Sequence, residues 1–353
     1  MQKKHDASNV GPLPGLVRAG LFACAGVLAC ACSDAGRPPR LQVLSFVRTI
    51  GGNARDANDT TLLIPLDLAV QDSVVAVLDQ AGPTVRVLAF DGRLLRVVGR
   101  RGQGRGEFLE PRGIAASASG VLAVTDGRNR RVTLVDPASG ETRTFPVRDG
   151  RLGEAAFDGQ GRLHVDRRGR AEAGAAGIVS VFDSSGAQAS SWGAYLSDTD
   201  PFADAYLNQV QIAFGHAGDA WVLYPYRGTL EHRSAGMELL QTVRLPAPQG
   251  RPADGPFTQA SPDDPNVVMV IRMPVADDVV VAPGGRVLVA VMQTPTDQPA
   301  FSEVLVYGGD GTLLGSQRLP RPARRMAVHG GNLYALADHY GGASGIDVFR
   351  IVP

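Results

Sequence analysis

From Leu41 onward the chain alternates short runs of Val, Leu and Ala with clusters of Gly, Asp and Pro. Runs of this length, bounded by turn residues, predict many short strands rather than helices. A turn followed by a short apolar strand recurs six times: QDSVVAVLD (71–79), SGVLAVTD (119–126), GQGRLHVD (159–166), AGDAWVLY (217–224), GGRVLVAV (284–291) and GGNLYALAD (330–338). Before each copy stands a first strand with a four-residue core: DLAV at 67, GIAA at 113, EAAF at 154, QIAF at 211, DVVV at 278 and RMAV at 325. A third strand follows each copy, and in five of them a turn leads on to a fourth. A fixed unit repeated along a chain is the signature of a radial or stacked array.

The sixth unit, through GIDVFRIVP, lacks a fourth strand, whereas LQVLSFVRTIGG (41–52) is a strand with no unit in front of it. Pairing the two closes a ring and covers edges that an open array would expose. The expected fold is therefore all-β: a six-bladed β-propeller of four-stranded antiparallel blades, closed by the N-terminal strand joining the C-terminal blade, over 41–353.

The second unit carries further detail. Gly102 to Phe108 reads G-x-G-x-G-E-F, Pro111 to Ala115 reads P-x-G-I-A, and Val124, Asp126, Asn129, Arg131 and Val132 complete the stretch. This stretch resembles an NHL repeat, the blade unit of a propeller family, and the resemblance implies the same six-bladed architecture. The recurring aspartates Asp79, Asp126 and Asp338 end the second strands, where a carboxylate accepts from backbone N–H groups of the following turn.

Composition narrows the function classes. The 35 Lys and Arg balance 35 Asp and Glu, so the net charge gives no reason to expect nucleic acid. Arg93, Arg96, Arg100, Arg101, Arg105 and Arg112 crowd one segment, which reads as a solvated basic turn. All 3 cysteines, Cys24, Cys30 and Cys32, precede the repeats, so no disulfide framework can form in them. Lys3, Lys4 and Arg18 come before an uncharged run from Ala19 to Ala29, too short to span a hydrocarbon core of ~30 Å. The arrangement resembles a bacterial lipoprotein export signal. It implies a signal peptide over 1–32, acylation at Cys30 (or Cys32), a flexible linker over 33–40 and attachment to an envelope membrane.

Two constellations remain as candidate sites. In a four-stranded blade, the second-to-third turns and the links between blades open on one face, and here these are the long ones. The expected binding face carries Tyr195, Phe202, Tyr206, Tyr224, Tyr226, Arg227, Phe257, Arg272, His339 and Tyr340, because aromatics and arginine suit burial against a protein, peptide or glycan partner. The second constellation is the leading position of each first strand: Asp67, Gly113, Glu154, Gln211, Asp278 and Arg325 around a central channel. Asp67, Glu154, Gln211 and Asp278 offer oxygens that a calcium ion would take. Calcium-dependent lactonase propellers are similar there, which implies an alternative, a metal-dependent hydrolase, although Gly113 and Arg325 stand where ligands would. His164, His216, His232, His329 and His339 lack a metal-type spacing, and no G-x-S-x-G context surrounds Ser184 and Ser185. The leading expectation is a non-enzymatic binding or scaffold module with no catalytic residue and no cofactor beyond that possible calcium.

Overall fold

The computed structural model describes residues 37–51, 62–147, 151–168, 177–196, 201–249, 258–260, 268–270, 274–295, 299–337 and 344–353, with backbone alone for 201–202, 258–260 and 268–270. Six four-stranded antiparallel sheets form the ring. Blade one is built from Pro65–Gln71, Val74–Asp79, Thr84–Ala89 and Leu94–Val98. Blade two follows with Pro111–Ala116, Leu122–Asp126, Arg131–Val135 and Thr142–Pro146. Blade three runs from Arg151–Phe157 to Gln188–Trp192, blade four from Gln211–Phe214 to Leu239–Arg244, and blade five from Asp278–Val281 to Leu313–Arg318. The sixth blade takes Ala323–His329, Asn332–Ala337 and Gly345–Ile351 from the end of the chain, and Leu44–Gly51 as its outer strand.

That closure is specific. Leu44 pairs with Ile351 and Gly51 with Gly345, antiparallel. Gln317 of blade five secures the incoming strand as well, its Oε1 accepting from the N–H groups of Val43 and Leu44 at 2.8 Å each and its Nε2 donating to the Leu44 carbonyl at 2.7 Å. The attachment starts before the strand. Ser316 donates its N–H to the Pro39 carbonyl, and Leu41 donates to the Ser316 carbonyl, at 2.8 Å each. Residues 39 and 40, expected within the linker, are thus held against blade five, where Arg40 bridges Ser316. Residues 1–36, with the export signal, Cys30 and Cys32, lie outside the described residues.

The buried apolar residues form six clusters, each shared by two neighbouring blades. Blade one and blade two, for example, meet through Leu78, Val85 and Val87 on one side and Phe108, Leu122 and Val124 on the other. Each sheet buries both faces against neighbours, so second strands such as VVAVL of blade one and VLVAVM of blade five read as unbroken apolar runs, whereas LHVDRR of blade three is the exception. Closure therefore covers the last apolar faces as well as the last strand edges.

The glycine-rich stretch of blade two serves packing. Phe108 is fully buried, and a Cβ on Gly99 (φ +96°) would stand 2.4 Å from its ring. Asn129 donates to the Gly102 carbonyl at 3.0 Å, and Arg131 donates to the carbonyls of Gln103, Gly104 and Glu107 at 2.6 to 2.9 Å. Other arginines of the crowded segment are engaged in the same way, Arg105 with the Thr142 carbonyl and Arg96 with that of Ala138.

Two of the recurring aspartates hold more than the following turn, and Asp338 lies outside the described residues. Asp126 accepts from the N–H groups of Leu109 and Glu110 at 2.9 Å each, and Asp79 accepts from Leu63 at 2.9 Å and Ile64 at 3.1 Å. Each carboxylate thus anchors the link that enters its blade, in addition to Ala81 or Asn129 in the turn beyond.

Candidate functional site

Four of the leading residues of the first strands come together in the channel. Asp67, Glu154, Gln211 and Asp278 are each buried and line one cavity of about 210 Å³. Their roles differ from those of a metal cage. Asp67 accepts from its neighbour Leu68 at 2.8 Å and from Ile114 of blade two at 2.9 Å. Asp278 repeats the pattern, accepting from Val279 at 2.8 Å and from Met326 of blade six at 2.6 Å. Both acids clasp one blade to the next through backbone N–H groups, one bonded to each carboxylate oxygen. Gly113 has its own reason to be small: a Cβ there would meet Glu154 Cα at 2.9 Å.

The cation facing these acids is a side chain of the protein. Arg325 donates to Glu154 at 3.1 Å and to the Asp277 carbonyl at 2.9 Å, and its Nε lies 3.9 Å from Asp67. Arg168 donates to the same Glu154 oxygen at 3.0 Å. Burial opposes the Arg325 charge, but Glu154, Asp278 and Asp67 outweigh it and hold its pKa above the usual arginine value. Burial pushes Asp67 well above the usual carboxylate range, helped by Glu154 and opposed by Arg325. It also pushes Asp278, with Arg325 opposing, and Asp166, with Arg168 opposing, up to about 7. Among the described residues, no three or more His, Cys, Asp or Glu side chains are grouped so as to hold a metal ion.

Above the channel, on the face formed by inter-blade links and second-to-third turns, lies a cavity of about 390 Å³. Gln211 and Arg325 form part of its lining, and Gln211 lines the channel cavity as well. Links of blades one, four, five and six supply the walls, with Leu63, Ile64, Tyr226, Pro274, Asp277 and Arg324 among them. Leu63 and Ile64 are 62% and 53% exposed. They stay exposed because their N–H groups are tied to the Asp79 carboxylate, which fixes the backbone and leaves both side chains on the rim.

The expected binding-face residues separate into two groups. Tyr226 lines this cavity, and its ring meets that of Tyr206 edge-on, with centroids 4.9 Å apart. Tyr195 packs against the cluster between blades three and four. Tyr224 is buried: it is 1% exposed and donates its hydroxyl to Glu231 at 3.1 Å, so it packs the blade. Arg227 is half-buried. Its guanidinium lies over the Tyr224 ring, donates to the Leu207 carbonyl at 2.6 Å and to Asn208 at 2.9 Å, and so fastens the short helix Pro201–Leu207 to blade four. Phe257, Arg272, His339 and Tyr340 lie outside the described residues, as does the side chain of Phe202.

Leu63, Ile64, Arg168 and Arg324 were absent from the expected sites. A signal for the first two was present: an apolar pair just before Pro65 and 15 to 16 residues before Asp79, within one residue of the 16 to 17 by which Leu109 and Glu110 precede Asp126.

His164 is structural. It is buried, with one ring nitrogen 3.1 Å from Asp158 and the other accepting from the Trp192 indole at 3.1 Å, and burial lowers its pKa.

No family model matches the chain, and no curated protein does either. Solved structures do. A Bacteroides fragilis protein described as exported aligns over 90% of this chain and 98% of its own, with a TM-score of 0.58 and 12% identity. A PQQ-bound aldose sugar dehydrogenase from Streptomyces coelicolor aligns over 89% of this chain and 99% of its own, at TM-score 0.53 and 15% identity. A catalytically inactive virginiamycin B lyase from Staphylococcus aureus, with quinupristin, aligns over 90% and 98%, at TM-score 0.53 and 9% identity. At such identities the likeness is one of fold, and this chain is a six-bladed β-propeller.

Proposed function

We propose that this chain is an exported, lipid-anchored propeller of NHL type that binds a protein or peptide segment, without catalysis, at the mouth of its channel. The observation that carries the reading is the rim: two exposed aliphatic side chains, Leu63 and Ile64, beside a half-buried tyrosine and over a charged floor. Apolar anchors around a concave centre with charge beneath suit a peptide that inserts one side chain and pairs polar groups around it. The export reading rests on the basic, apolar and cysteine-bearing order of residues 1–32, and the NHL reading on the Gly102–Val132 motif.

The alternative, a calcium-dependent hydrolase in the channel, has less support. The carboxylates it would need already accept from backbone N–H groups and from Arg325.

The test is affinity isolation of the full chain from envelope membranes of cells that express it, beside a variant carrying Leu63→Asp with Ile64→Asp. A discrete partner held by the wild type and lost from an equally well-folded variant is expected. An identical set of proteins on both would overturn the reading.

A further inference from the structure

The strand that closes the ring, Leu44–Gly51, is the outer edge of blade six, and it carries apolar side chains into solvent. Phe46 and Val47 are 53% and 49% exposed. Among the described residues, Phe46 is the one exposed aromatic side chain. Its ring meets that of Phe349 edge-on, with centroids 5.7 Å apart, and so packs on the apolar cluster shared by blades five and six.

Val47 is the extra residue of a bulge, because the register against Gly345–Ile351 shifts between Phe46 and Arg48. A bulged edge hinders pairing with a further strand, whether from a second copy of the chain or from an extended peptide. The apolar edge therefore calls for a partner that needs no strand register.

Charge narrows the choice. Residues 37–51 carry Arg37, Arg40 and Arg48 and no acid. Arg40 and Arg48 are exposed, and among the described residues neither is paired with a carboxylate. An exposed aromatic ring flanked by arginines suits the interface of a bilayer that contains anionic lipid, where the ring lies at headgroup level and the guanidinium groups meet phosphate.

The tether brings such a surface within reach. Pro39 is nine residues beyond Cys30, and its carbonyl is bonded to Ser316 of blade five. A fully extended chain of that length spans about 30 Å. The outer strand of blade six starts at Leu44, directly after this attachment. Acyl chains at Cys30 would thus keep that strand close to the bilayer, and a contact too weak to hold a free protein becomes an intramolecular one.

We propose that the outer strand of blade six docks on an anionic phospholipid surface, Phe46 and Val47 entering the headgroup region and Arg40 and Arg48 meeting lipid phosphates. The proposal rests on the acylation proposed above. It turns blade three, three places round the ring from blade six, away from the membrane.

The test is photo-crosslinking of the full chain in cells grown with radioactive phosphate. The photoreactive residue p-benzoylphenylalanine replaces Phe46 or, in a second protein, the exposed Ser190 on the outer strand of blade three. Phosphate label that appears on the purified protein only after irradiation reads contact with phospholipid. Strong label is expected from position 46 and none from position 190. Arg40→Glu with Arg48→Glu is expected to lower the label from position 46 by about tenfold or more. Should that variant fail to fold, Val47→Asp at the exposed bulge decides, with the same expected loss. Equal label from both positions would overturn the proposal, as would label from position 46 that neither variant lowers. An adduct of position 46 with another protein or with a second copy, in place of lipid, would overturn it too. Radioactive palmitate on the same cells, without irradiation, reads the anchor separately. Palmitate label with no phosphate label from position 46 overturns the docking and leaves the anchor standing. No palmitate label overturns the anchor, and this proposal with it.

Discussion

Arg325 of the sixth blade donates to Glu154 of the third at 3.1 Å, a contact across the channel between residues 171 apart in sequence. The ring thus carries a cation of its own at the point where its inward-facing acids converge. Removing one partner of a partly buried ion pair leaves the other groups unpaired, with a cost of up to about 3–5 kcal/mol. Arg325→Met should lower urea-unfolding stability by that order, and Glu154→Gln added to it should recover part of the loss. The loss should be larger at pH 8 than at pH 5, since Asp67 and Asp278 can take up protons at the lower pH.

Asp166 provides a pH dependence with a definite sign. Its folded pKa of about 7 lies above the unfolded value of 3.8. Between these values the folded state binds more protons, so this group's contribution to stability falls as pH rises from about 4 to about 7. Asp166→Asn should flatten that part of the stability profile. It should stabilise the protein by up to about 4 kcal/mol at pH 8, less what the lost contact with Arg168 contributes, and by little at pH 4, read by thermal melting across the range. An unchanged difference at both ends would show that burial does not hold this carboxyl up.

The closing strand is held from two sides. Deleting residues 41–51 should lower the melting temperature sharply, because it exposes the edge of Gly345–Ile351 and the apolar faces beneath Leu44 and Ile50. Gln317→Ala, which removes three bonds to that segment, should cost about 1–3 kcal/mol in denaturant unfolding.

Calcium offers a direct check on the channel. A bound ion stabilises the folded state by mass action. Since backbone N–H groups and Arg325 occupy the channel carboxylates, dialysis against a chelator should leave the melting temperature unchanged, and added calcium should not raise it. A calcium-dependent rise abolished by Asp67→Asn would restore the hydrolase reading.

The architecture was legible because each blade repeats the same grammar, so that six faint copies support one another and the orphan strand at 41–52 has one place to go. The channel was legible for the same reason: the leading position of each first strand points inward whatever residue holds it. What the acids do there was not legible. The donors to Asp67 and Asp278 are backbone N–H groups of the following blade, and no side-chain pattern announces a backbone partner. The aromatic residues misled in part, since an aromatic beside a turn can equally be the buried end of a strand. Tyr224, the last residue of the strand Ala220–Tyr224 and beneath Arg227, is that case. The rim at Leu63 and Ile64 was hidden by its resemblance to the start of a buried strand. Only the clamp from Asp79 shows why those side chains face out.

The central claim is that the partner is met at the channel mouth. Site-specific photo-crosslinking measures this most directly, with a photoreactive residue at Ile64 on the rim and, in a second protein, at Leu314 on the outer strand of blade five, which is 40% exposed. A single discrete adduct from position 64, absent from position 314 and lost when Tyr226→Ala is added, is the predicted result. Equal adducts from both positions, or none from position 64 while position 314 reacts, would contradict it.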